Sequence, residues 1–328
     1  MAQGNQEAVK ATVSVVIVTW RRPEYVRRCL AALTEQPTRA HQILVVDASE
    51  DTATAEVVAQ HPVAALLPFP QGAGHMTTAR NHGLVHATGA VVAFLDDDAN
   101  ARPDWMEHVV IAHAQPGVGA VAGRTCNDDD GEADEGAGQV GLLLPTGRLT
   151  GNFAADTRQI VDVDHGIGAN MSFKRELLAA LGGFRDDFPG TAMREDSDIF
   201  LRVRALGHRV VYAPSAVADH VAAPHVRGQR FDFRYVFWAR HNHFLLLARN
   251  FGWGSPMLRR WLVLELRDLV GNAEISLPKR ILRAAAGVLA LTAGALTSLR
   301  KARWGPTPPA RVDTEGRRIR RQMELPIS

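Results

Sequence analysis

The feature that most constrains the fold is a regular alternation of short apolar runs with segments of helical periodicity across residues 13–114. The predicted strands span residues 13–19, 43–46, 64–67 and 91–95, and the predicted helices begin at Pro23 or span residues 52–60, 78–86 and 103–114. Such alternation is typical of a parallel, doubly wound sheet with helices on both faces. We therefore predict an α/β fold for this part of the chain.

Three of the predicted strands end in polar side chains. Thr19 ends the first and Asp47 the second, whereas Asp96, Asp97 and Asp98 follow the fourth. The carboxyl ends of parallel strands meet at one edge of the sheet, where ligands bind. Side chains alternate along a strand, so Asp96 and Asp98 should share one side. Two carboxylates on one side suit Mg²⁺ or Mn²⁺, and a solvated acidic turn is the alternative.

Composition and charge narrow the class of protein. The chain has 328 residues, of which 46% are hydrophobic and 22% charged, as in an ordinary soluble protein. A net charge of +2 argues against a dedicated nucleic-acid binder. Cys29 and Cys126 cannot form a disulfide framework and lack metal-ligand spacing. With a polar N-terminal segment, these features predict a cytoplasmic protein.

The C-terminal hundred residues have a different character. Residues 231–250, 261–270 and 281–299 are predicted to be helices, and the last is apolar but too short to span a membrane. We predict a helical extension over residues 226–305 and a basic, flexible tail over residues 306–328. The preferred interpretation of the last helix is packing, either on the rest of the protein or in a dimer. Peripheral contact with an anionic membrane through the basic tail is the alternative.

Two further acidic segments have interpretations that need no ligand. Residues 127–138 are acidic and rich in glycine, so a solvated loop is favoured over a metal site. Glu195, Asp196 and Asp198 open a predicted helix, where carboxylates complement the positive end of the helix dipole. A functional role for the second set needs support from the rest of the chain.

Several segments, taken in order, resemble one family. They are residues 15–23, 45–51, 79–84, 94–98, 168–173, 182–184, 195–198 and 212–214, followed by His220. Together they resemble the family 2 glycosyltransferases, the inverting enzymes of the GT-A fold, from about Val13 to His220. The sequence departs from the family pattern at Trp20 and Arg21, where Tyr-Asn is usual. The segment that follows Asp47 is also one residue shorter than the commonest form in the family.

The resemblance implies a GT-A type fold with a Rossmann-like, mostly parallel central sheet flanked by helices. Residues 1–225 would form the nucleotide-sugar-binding and catalytic domain. The implied donor is a nucleoside-diphosphate sugar, with UDP favoured because Asp47 could accept a hydrogen bond from uracil. The implied nucleotide-sugar-binding residues are Thr19, Trp20, Arg22, Asp47, Arg80, Asn81, Asp96 and Asp97, with Asp97 holding the ribose or Arg80.

The resemblance also assigns the reacting groups. Asp96 and Asp98, completed by His220, would hold Mn²⁺ or Mg²⁺ to neutralise the diphosphate leaving group. The acceptor hydroxyl must lose its proton, and one carboxylate opposite the leaving group is enough for a single displacement with inversion. Asp196 takes that role, with Glu195 as its neighbour or substitute.

The implied acceptor is a hydroxyl of a glycan, a lipid-linked glycan or a natural product. Candidates for the sugar or acceptor surface are Trp105, His165, Asn170 and Trp238. For the two tryptophans, packing in the core is the alternative, because a buried indole needs only one hydrogen-bond acceptor.

Three other classes share parts of this pattern. A nucleotidyltransferase that makes sugar nucleotides has a similar architecture, but no glycine-rich basic loop for a triphosphate follows the first strand. An NAD-dependent oxidoreductase is suggested by Gly72 and Gly74, yet a third glycine is missing and the run follows the third strand. A non-catalytic carbohydrate- or nucleotide-binding relative stays open.

Overall fold

The computed structural model describes residues 11–72, 74–127, 136–190, 192–221, 233–271, 277–300 and 314–324. Its strands are β1 (Val13–Thr19), β2 (Gln42–Asp47), β3 (Ala64–Pro68), β4 (Val91–Asp96), β5 (Ala99–Ala101), β6 (Val118–Cys126), β7 (Val161–Asp162), β8 (Asn170–Lys174) and β9 (Arg209–His220). They form one mixed sheet in the order β3-β2-β1-β4-β8-β6-β9-β5, with β7 beside β9. Strands β1 to β4, β6 and β9 run in one direction, which confirms the mostly parallel central sheet.

Helices cover both faces of the sheet and form the C-terminal part. They are α1 (Pro23–Thr34), α2 (Ala53–Ala59), α3 (Met76–His86), α4 (Trp105–Ala114), α5 (Arg175–Leu181), α6 (Glu195–Ala205), α7 (Phe233–Phe251), α8 (Pro256–Gly271), α9 (Leu277–Arg300) and α10 (Thr314–Glu324). Helix α1 begins at Pro23, because proline lacks the N–H that a first helical residue would leave unpaired. Its buried face carries Val26, Leu30 and Leu33 at helical spacing.

The sheet lies between two apolar clusters. In β1, Val15 and Ile17 belong to one cluster and Val16 to the other, as alternation along a strand requires. Both faces are therefore covered, which explains why the strand reads as a continuous apolar run. At the carboxyl edge, the register sets Thr19 opposite Asp47. The first polar residues of the predicted rim therefore meet as expected.

Strand β9 is longer than predicted. The apolar run over residues 210–213 predicts a strand closed by Pro214, but β9 continues to His220. The register between β6 and β9 shifts between Gly123 and Arg124, opposite Ala213 and Val217, so the irregularity lies at the proline, which has no N–H to donate. The additional residues pair with β5 and set His220 opposite Ala99.

Helices α7, α8 and α9 confirm the predicted helical extension and share a separate apolar cluster that includes Phe244, Trp261 and Leu291. A buried ion pair anchors the extension, since Arg249 donates to both carboxylate oxygens of Asp187 at 2.9 and 2.7 Å. The predicted domain boundary at residue 225 lies outside the described residues. So do residues 128–135 of the acidic segment.

Helix α10 corrects the prediction of a flexible tail over residues 306–328. Ile319 and Met323 are 1% and 3% exposed and belong to the main apolar cluster beside the sheet. Arg175 of α5 donates to the Met323 carbonyl at 2.7 Å. The two apolar residues lie one helical turn apart on one face, and the exposed arginines lie elsewhere on the helix. Residues 306–313 and 325–328 lie outside the described part of the chain.

We expect Ile319→Ala to lower the free energy of unfolding by about 2–4 kcal/mol, because it removes a buried side chain and leaves a cavity. Urea denaturation of the full chain measures this change. The matched control is Arg321→Ala on the exposed face of the same helix, which should change stability by less than about 0.5 kcal/mol. Equal stability of the two variants would contradict the docking of α10.

Helix α9 packs within the protein against α7, as preferred, with Ala290 and Leu291 buried. Its other side carries apolar residues, among which Ile281, Leu282 and Leu289 are more than 60% exposed. Across the described ranges, no helix is both long enough and apolar enough to span a bilayer.

Candidate active site

The first wall of the site is formed by residues at the ends of β1 and β4. Thr19 donates its hydroxyl to Asp97 Oδ2 at 2.7 Å, and Arg22 Nη1 lies 3.0 Å from Asp97 Oδ1. Arg22 also reaches Asp98 Oδ2 at 3.4 Å. Burial raises the pKa of Asp97 to about 6, although Arg22 and the Thr19 hydroxyl act in the opposite direction. The Asp97 carboxylate is therefore directed toward β1 and the start of α1, whereas Asp96 contacts Arg80.

The neighbouring wall carries Asp47 and Trp20. Asp47 Oδ1 accepts hydrogen bonds from the Ser49 amide at 2.9 Å and the Ser49 hydroxyl at 2.6 Å. The Arg21 amide in turn donates to Ser49 Oγ at 2.7 Å, and the Arg21 guanidinium lies 4.9 Å from the centre of the Trp20 ring. These contacts join the loops after β1 and β2 into one surface at the carboxyl edge.

Asp96, Asp98 and His220 form a candidate metal centre. One ligand atom from each lies within 4.8 Å of the others. His220 Nε2 is 3.2 Å from Asp98 Oδ1, a contact made possible by the pairing of β5 with β9. Two ligands of one Mg²⁺ ion lie at most about 4.2 Å apart, so small side-chain rotations would complete the set. Two carboxylate oxygens and one imidazole nitrogen also suit Mn²⁺.

Arg80 connects this centre to helix α6. Its guanidinium is 2% exposed and donates to Asp96 Oδ1 at 3.0 Å, to Glu195 Oε1 at 2.8 Å and to the Gly168 carbonyl at 3.3 Å. Burial alone would lower the pKa of Arg80, but Asp96 and Glu195 outweigh it and raise the pKa. Arg80 therefore lies behind the site as a fixed positive charge. The predicted contact between Asp97 and Arg80 is wrong, since Asp96 takes that place.

Asp196 lies in the first turn of α6 and is partly exposed to the cleft. The Gly168 amide donates to Asp196 Oδ2 at 3.1 Å, and the Ser197 amide donates to Oδ1 at 2.6 Å. Glu195 differs, because it is 4% exposed and held by Arg80. Burial and the charge of Asp196 raise the pKa of Glu195 above its usual range. Of the two carboxylates, Asp196 is the one that a second substrate can reach.

A cleft of about 410 Å³ joins the metal centre to Asp196. His220 and Asp196 line it together with His165, Asn152, Phe153 and Arg194. Sequence reasoning identified the first three of these six residues and missed the others. Arg194 directly precedes the acidic pair and could have been found on that signal, whereas residues 152–153 belong to no motif.

His165, a candidate for the sugar or acceptor surface, lines the cleft, and its imidazole is neutral. Burial lowers the pKa of its imidazole well below the usual range. Nε2 lies 2.9 Å from the Thr150 carbonyl and Nδ1 lies 3.3 Å from the Gly166 carbonyl, and the shorter contact favours the ring proton on Nε2. Nδ1 then accepts from the Ser197 hydroxyl at 3.2 Å. His165 thus fixes the first turn of α6 and is not placed to remove a proton.

Three predicted ligand-contacting residues are part of the core instead. Trp105 is 0% exposed and donates its indole N–H to Asn170 Oδ1 at 3.0 Å. Asn170 Nδ2 donates to the carbonyls of Arg124 and Ala216, both at 2.9 Å, which ties β8 to β6 and β9. Their assignment to the sugar or acceptor surface is wrong, because their hydrogen bonds are made inside the sheet.

Asn81 is the third of these residues. Its side chain donates to the Phe184 carbonyl at 2.9 Å and accepts from the Phe184 amide at 2.8 Å. It therefore holds the turn at Gly182 and Gly183, where φ is +70° and +73°, and is not available to a nucleotide. Trp238 also lies outside the cleft lining, with its ring packed on the backbone at Gly190, where a Cβ would come within 2.3 Å of ring atoms.

Comparison with known proteins agrees with this geometry. The sequence profile described as Glycosyl transferase family 2 matches residues 14–182, just over half of the chain. Glycosyltransferase AglE of Haloferax volcanii is 33% identical over 118 residues, which cover 34% of this chain and 38% of that protein. Succinoglycan biosynthesis protein ExoM of Rhizobium meliloti is 25% identical over 62% of this chain and 65% of its own length. The matches thus span less than two thirds of either relative.

Solved structures show the same architecture. The mannosyltransferase PcManGT from Pyrobaculum calidifontis, in complex with GDP-Man and Mn²⁺, superposes with a TM-score of 0.55 at 22% identity over 96% of this chain and 86% of its own. GalNAc-T7, with UDP, GalNAc and Mn²⁺, gives a TM-score of 0.62 at 13% identity over 90% of this chain and 58% of its own. With its helix-flanked sheet and the match over residues 14–182, the chain belongs to glycosyl transferase family 2 and has the GT-A fold.

Proposed function

We propose that this protein is a metal-dependent inverting glycosyltransferase, which moves a sugar from a nucleoside-diphosphate sugar to a hydroxyl acceptor. The observation that carries the proposal is the shared cleft, which has His220 of the metal centre and the carboxylate of Asp196 in its lining. A leaving group and an acceptor could therefore meet between them. The two solved neighbours bind GDP-Man and UDP with Mn²⁺, which supports a donor of this class.

The donor is held at the carboxyl edge of the sheet. We assign the nucleoside to the wall formed by Thr19, Trp20, Asp47 and Arg22, with UDP favoured because Asp47 can accept from the uracil N–H. Asp96, Asp98 and His220 would hold Mn²⁺ or Mg²⁺, which neutralises the charge that develops on the departing diphosphate. Arg80 fixes the carboxylate of Asp96 from behind.

Asp196 is the general base in this proposal. Its carboxylate accepts the proton of the acceptor hydroxyl while the hydroxyl oxygen attacks the anomeric carbon and the bond to the diphosphate breaks. Among the described residues that line the cleft, Asp196 is the only carboxylate. A retaining double displacement needs a second, nucleophilic carboxylate close by, so a single displacement with inversion is favoured. The acceptor is a glycan, a lipid-linked glycan or a natural product.

Contact with a membrane and formation of a dimer form a separate part of the proposal. The exposed apolar residues of α9 and the exposed arginines of α10 support peripheral contact with an anionic membrane by a cytoplasmic protein. Dimer formation through the same face of α9 stays a prediction. Sedimentation with anionic and neutral vesicles separates membrane contact from dimer formation. Membrane contact should sediment the protein with anionic vesicles only, whereas a dimer should sediment with neither.

Removal of divalent cations tests the proposed chemistry. We expect EDTA to abolish release of nucleoside diphosphate from the donor sugar and added Mn²⁺ or Mg²⁺ to restore it, because the leaving group then regains its counter-charge. A thermal-shift screen of UDP-, GDP- and dTDP-sugars with Mn²⁺ identifies the donor first, since a bound ligand raises the melting temperature. Undiminished turnover in metal-free buffer would contradict the proposal. So would pyrophosphate release from a nucleoside triphosphate and a sugar phosphate.

A further inference from the structure

We propose that Arg194 forms an anion subsite on the Asp196 side of the cleft, which binds a carboxylate or phosphate group carried by the acceptor. This inference rests on the proposed function, because it places the acceptor beside the general base. It adds a substrate class, since neutral acceptors would leave the subsite unused.

The position of Arg194 is unusual for its residue type. It directly precedes α6 with φ of +81°, a left-handed backbone conformation that side chains with a Cβ rarely adopt. From this position its side chain lines the same cleft as Asp196 and His220. The guanidinium is therefore held at the start of the helix that carries the proposed base.

Arg194 is partly exposed and differs in its partners from three buried arginines. Arg80, Arg202 and Arg249 each donate to a carboxylate or a backbone carbonyl. Arg194 makes no hydrogen bond or ion pair with any residue that the structure describes. The Nε atoms of Arg194, Arg202 and Arg249 all lack an acceptor, so the difference lies at the Nη atoms. Burial lowers the pKa of Arg194, with Asp196 acting in the opposite direction. A partly exposed guanidinium that lines a cleft and lacks a protein acceptor is suited to an acceptor supplied by a ligand.

The chemistry of guanidinium limits what that ligand group can be. Its planar set of N–H donors matches the two oxygens of a carboxylate or phosphate. Such a group could belong to the acceptor, to the transferred sugar or to the donor diphosphate. We assign it to the acceptor, because Arg194 adjoins the base while Asp96, Asp98 and His220 provide the cation site for the diphosphate.

Ligand-observed NMR titrations test the subsite with defined probes. Glycerol phosphate and glucuronate serve as anionic probes and glucose as the neutral one, each titrated with and without saturating UDP and Mn²⁺. We expect both anions to bind the wild type more tightly than glucose does. Arg194→Gln should weaken anion binding about tenfold or more, as the loss of a charge-assisted hydrogen bond implies. Arg194→Lys should weaken it less than Arg194→Gln does, because the lysine keeps the charge but loses the planar pair of donors.

The matched control is Arg204→Gln, which removes the same charge about 15 Å further along α6. Arg204 pairs with Asp164 and is 46% exposed, so anion binding should not change. Equal anion affinities in the two glutamine variants, or no anion binding to the wild type, would overturn the subsite. A tenfold loss of UDP–Mn²⁺ affinity in Arg194→Gln alone would also overturn it, by assigning the residue to the diphosphate.

One further readout separates the acceptor from the transferred sugar as the source of the anion. Stronger binding of a donor with a uronic acid than of its neutral counterpart, lost in Arg194→Gln, would assign the anion to the transferred sugar and overturn the acceptor assignment. Failure of the proposed function is distinguishable, because it shows as absent UDP–Mn²⁺ binding in the wild type. The titrations without nucleotide still decide the subsite in that case.

Discussion

Asp196→Asn is expected to bind the donor with unchanged affinity and to lose transfer by about 10²–10⁴ in kcat, the range that a general base contributes. The amide has nearly the same shape, and its one oxygen can still accept from either the Gly168 or the Ser197 amide, so the change at the first turn of α6 is confined to one lost hydrogen bond. It cannot accept the proton of the acceptor hydroxyl. Turnover of donor and acceptor, measured beside the Kd for UDP with Mn²⁺, separates the two effects.

Glu195→Gln is the matched comparison for the neighbouring carboxylate. Glu195 pairs with the buried Arg80. The substitution removes one negative charge beside the Arg80 guanidinium and should therefore lower the melting temperature. Transfer per folded molecule should fall much less than in Asp196→Asn. If Glu195→Gln abolishes transfer while Asp196→Asn keeps near wild-type turnover, the base is Glu195 and the assignment made here is wrong.

The second large effect is expected at the metal centre. Asp98→Ala should lower kcat/KM by at least about 100-fold, because a metal stabilises the leaving group by several kcal/mol and each 1.4 kcal/mol or so is a factor of ten. The Mn²⁺ concentration needed for half-maximal activity should rise as well. Steady-state rates over a series of Mn²⁺ concentrations measure both.

Asp219→Ala provides the control for Asp98→Ala. Asp219 directly precedes His220 in β9, and its carboxylate pairs with the exposed Arg102 outside the metal centre. We expect its removal to leave the Mn²⁺ dependence unchanged. The same loss of activity in both variants, with equal Mn²⁺ requirements, would show that Asp98 acts through stability alone.

Much of the fold was predictable because it depends on local patterns. Strand β1 has the predicted bounds and helix α2 is within one residue of them at each end, since an apolar run or a helical period specifies them without reference to the rest of the chain. The course of β9 past Pro214 was not predictable in this way. It depends on a shift of register against β6, which no local pattern records. Docking of Ile319 in α10 likewise depends on distant partners.

The candidate site also contains residues that a local pattern identifies and contacts that depend on distant parts of the chain. Asp96, Asp98 and Asp196 could be proposed from the sequence because they lie in an ordered set of segments that resembles one family, although carboxylates at a helix start also have a structural role. Asn170 was misassigned because a polar side chain in a motif gives the same signal whether it binds a ligand or joins strands. The link from Arg80 to Glu195 spans 115 residues and could be found only in three dimensions.

The central claim is that Asp96, Asp98 and His220 together bind a divalent cation beside a nucleoside diphosphate. A crystal structure of the protein with UDP and Mn²⁺, with anomalous scattering recorded at the manganese edge, tests it most directly. We predict one strong anomalous peak within bonding distance of Asp98 and the diphosphate, with Asp96 or His220 completing the ligand set. A manganese peak elsewhere in the cleft, with these three side chains unchanged and UDP bound, would contradict the account.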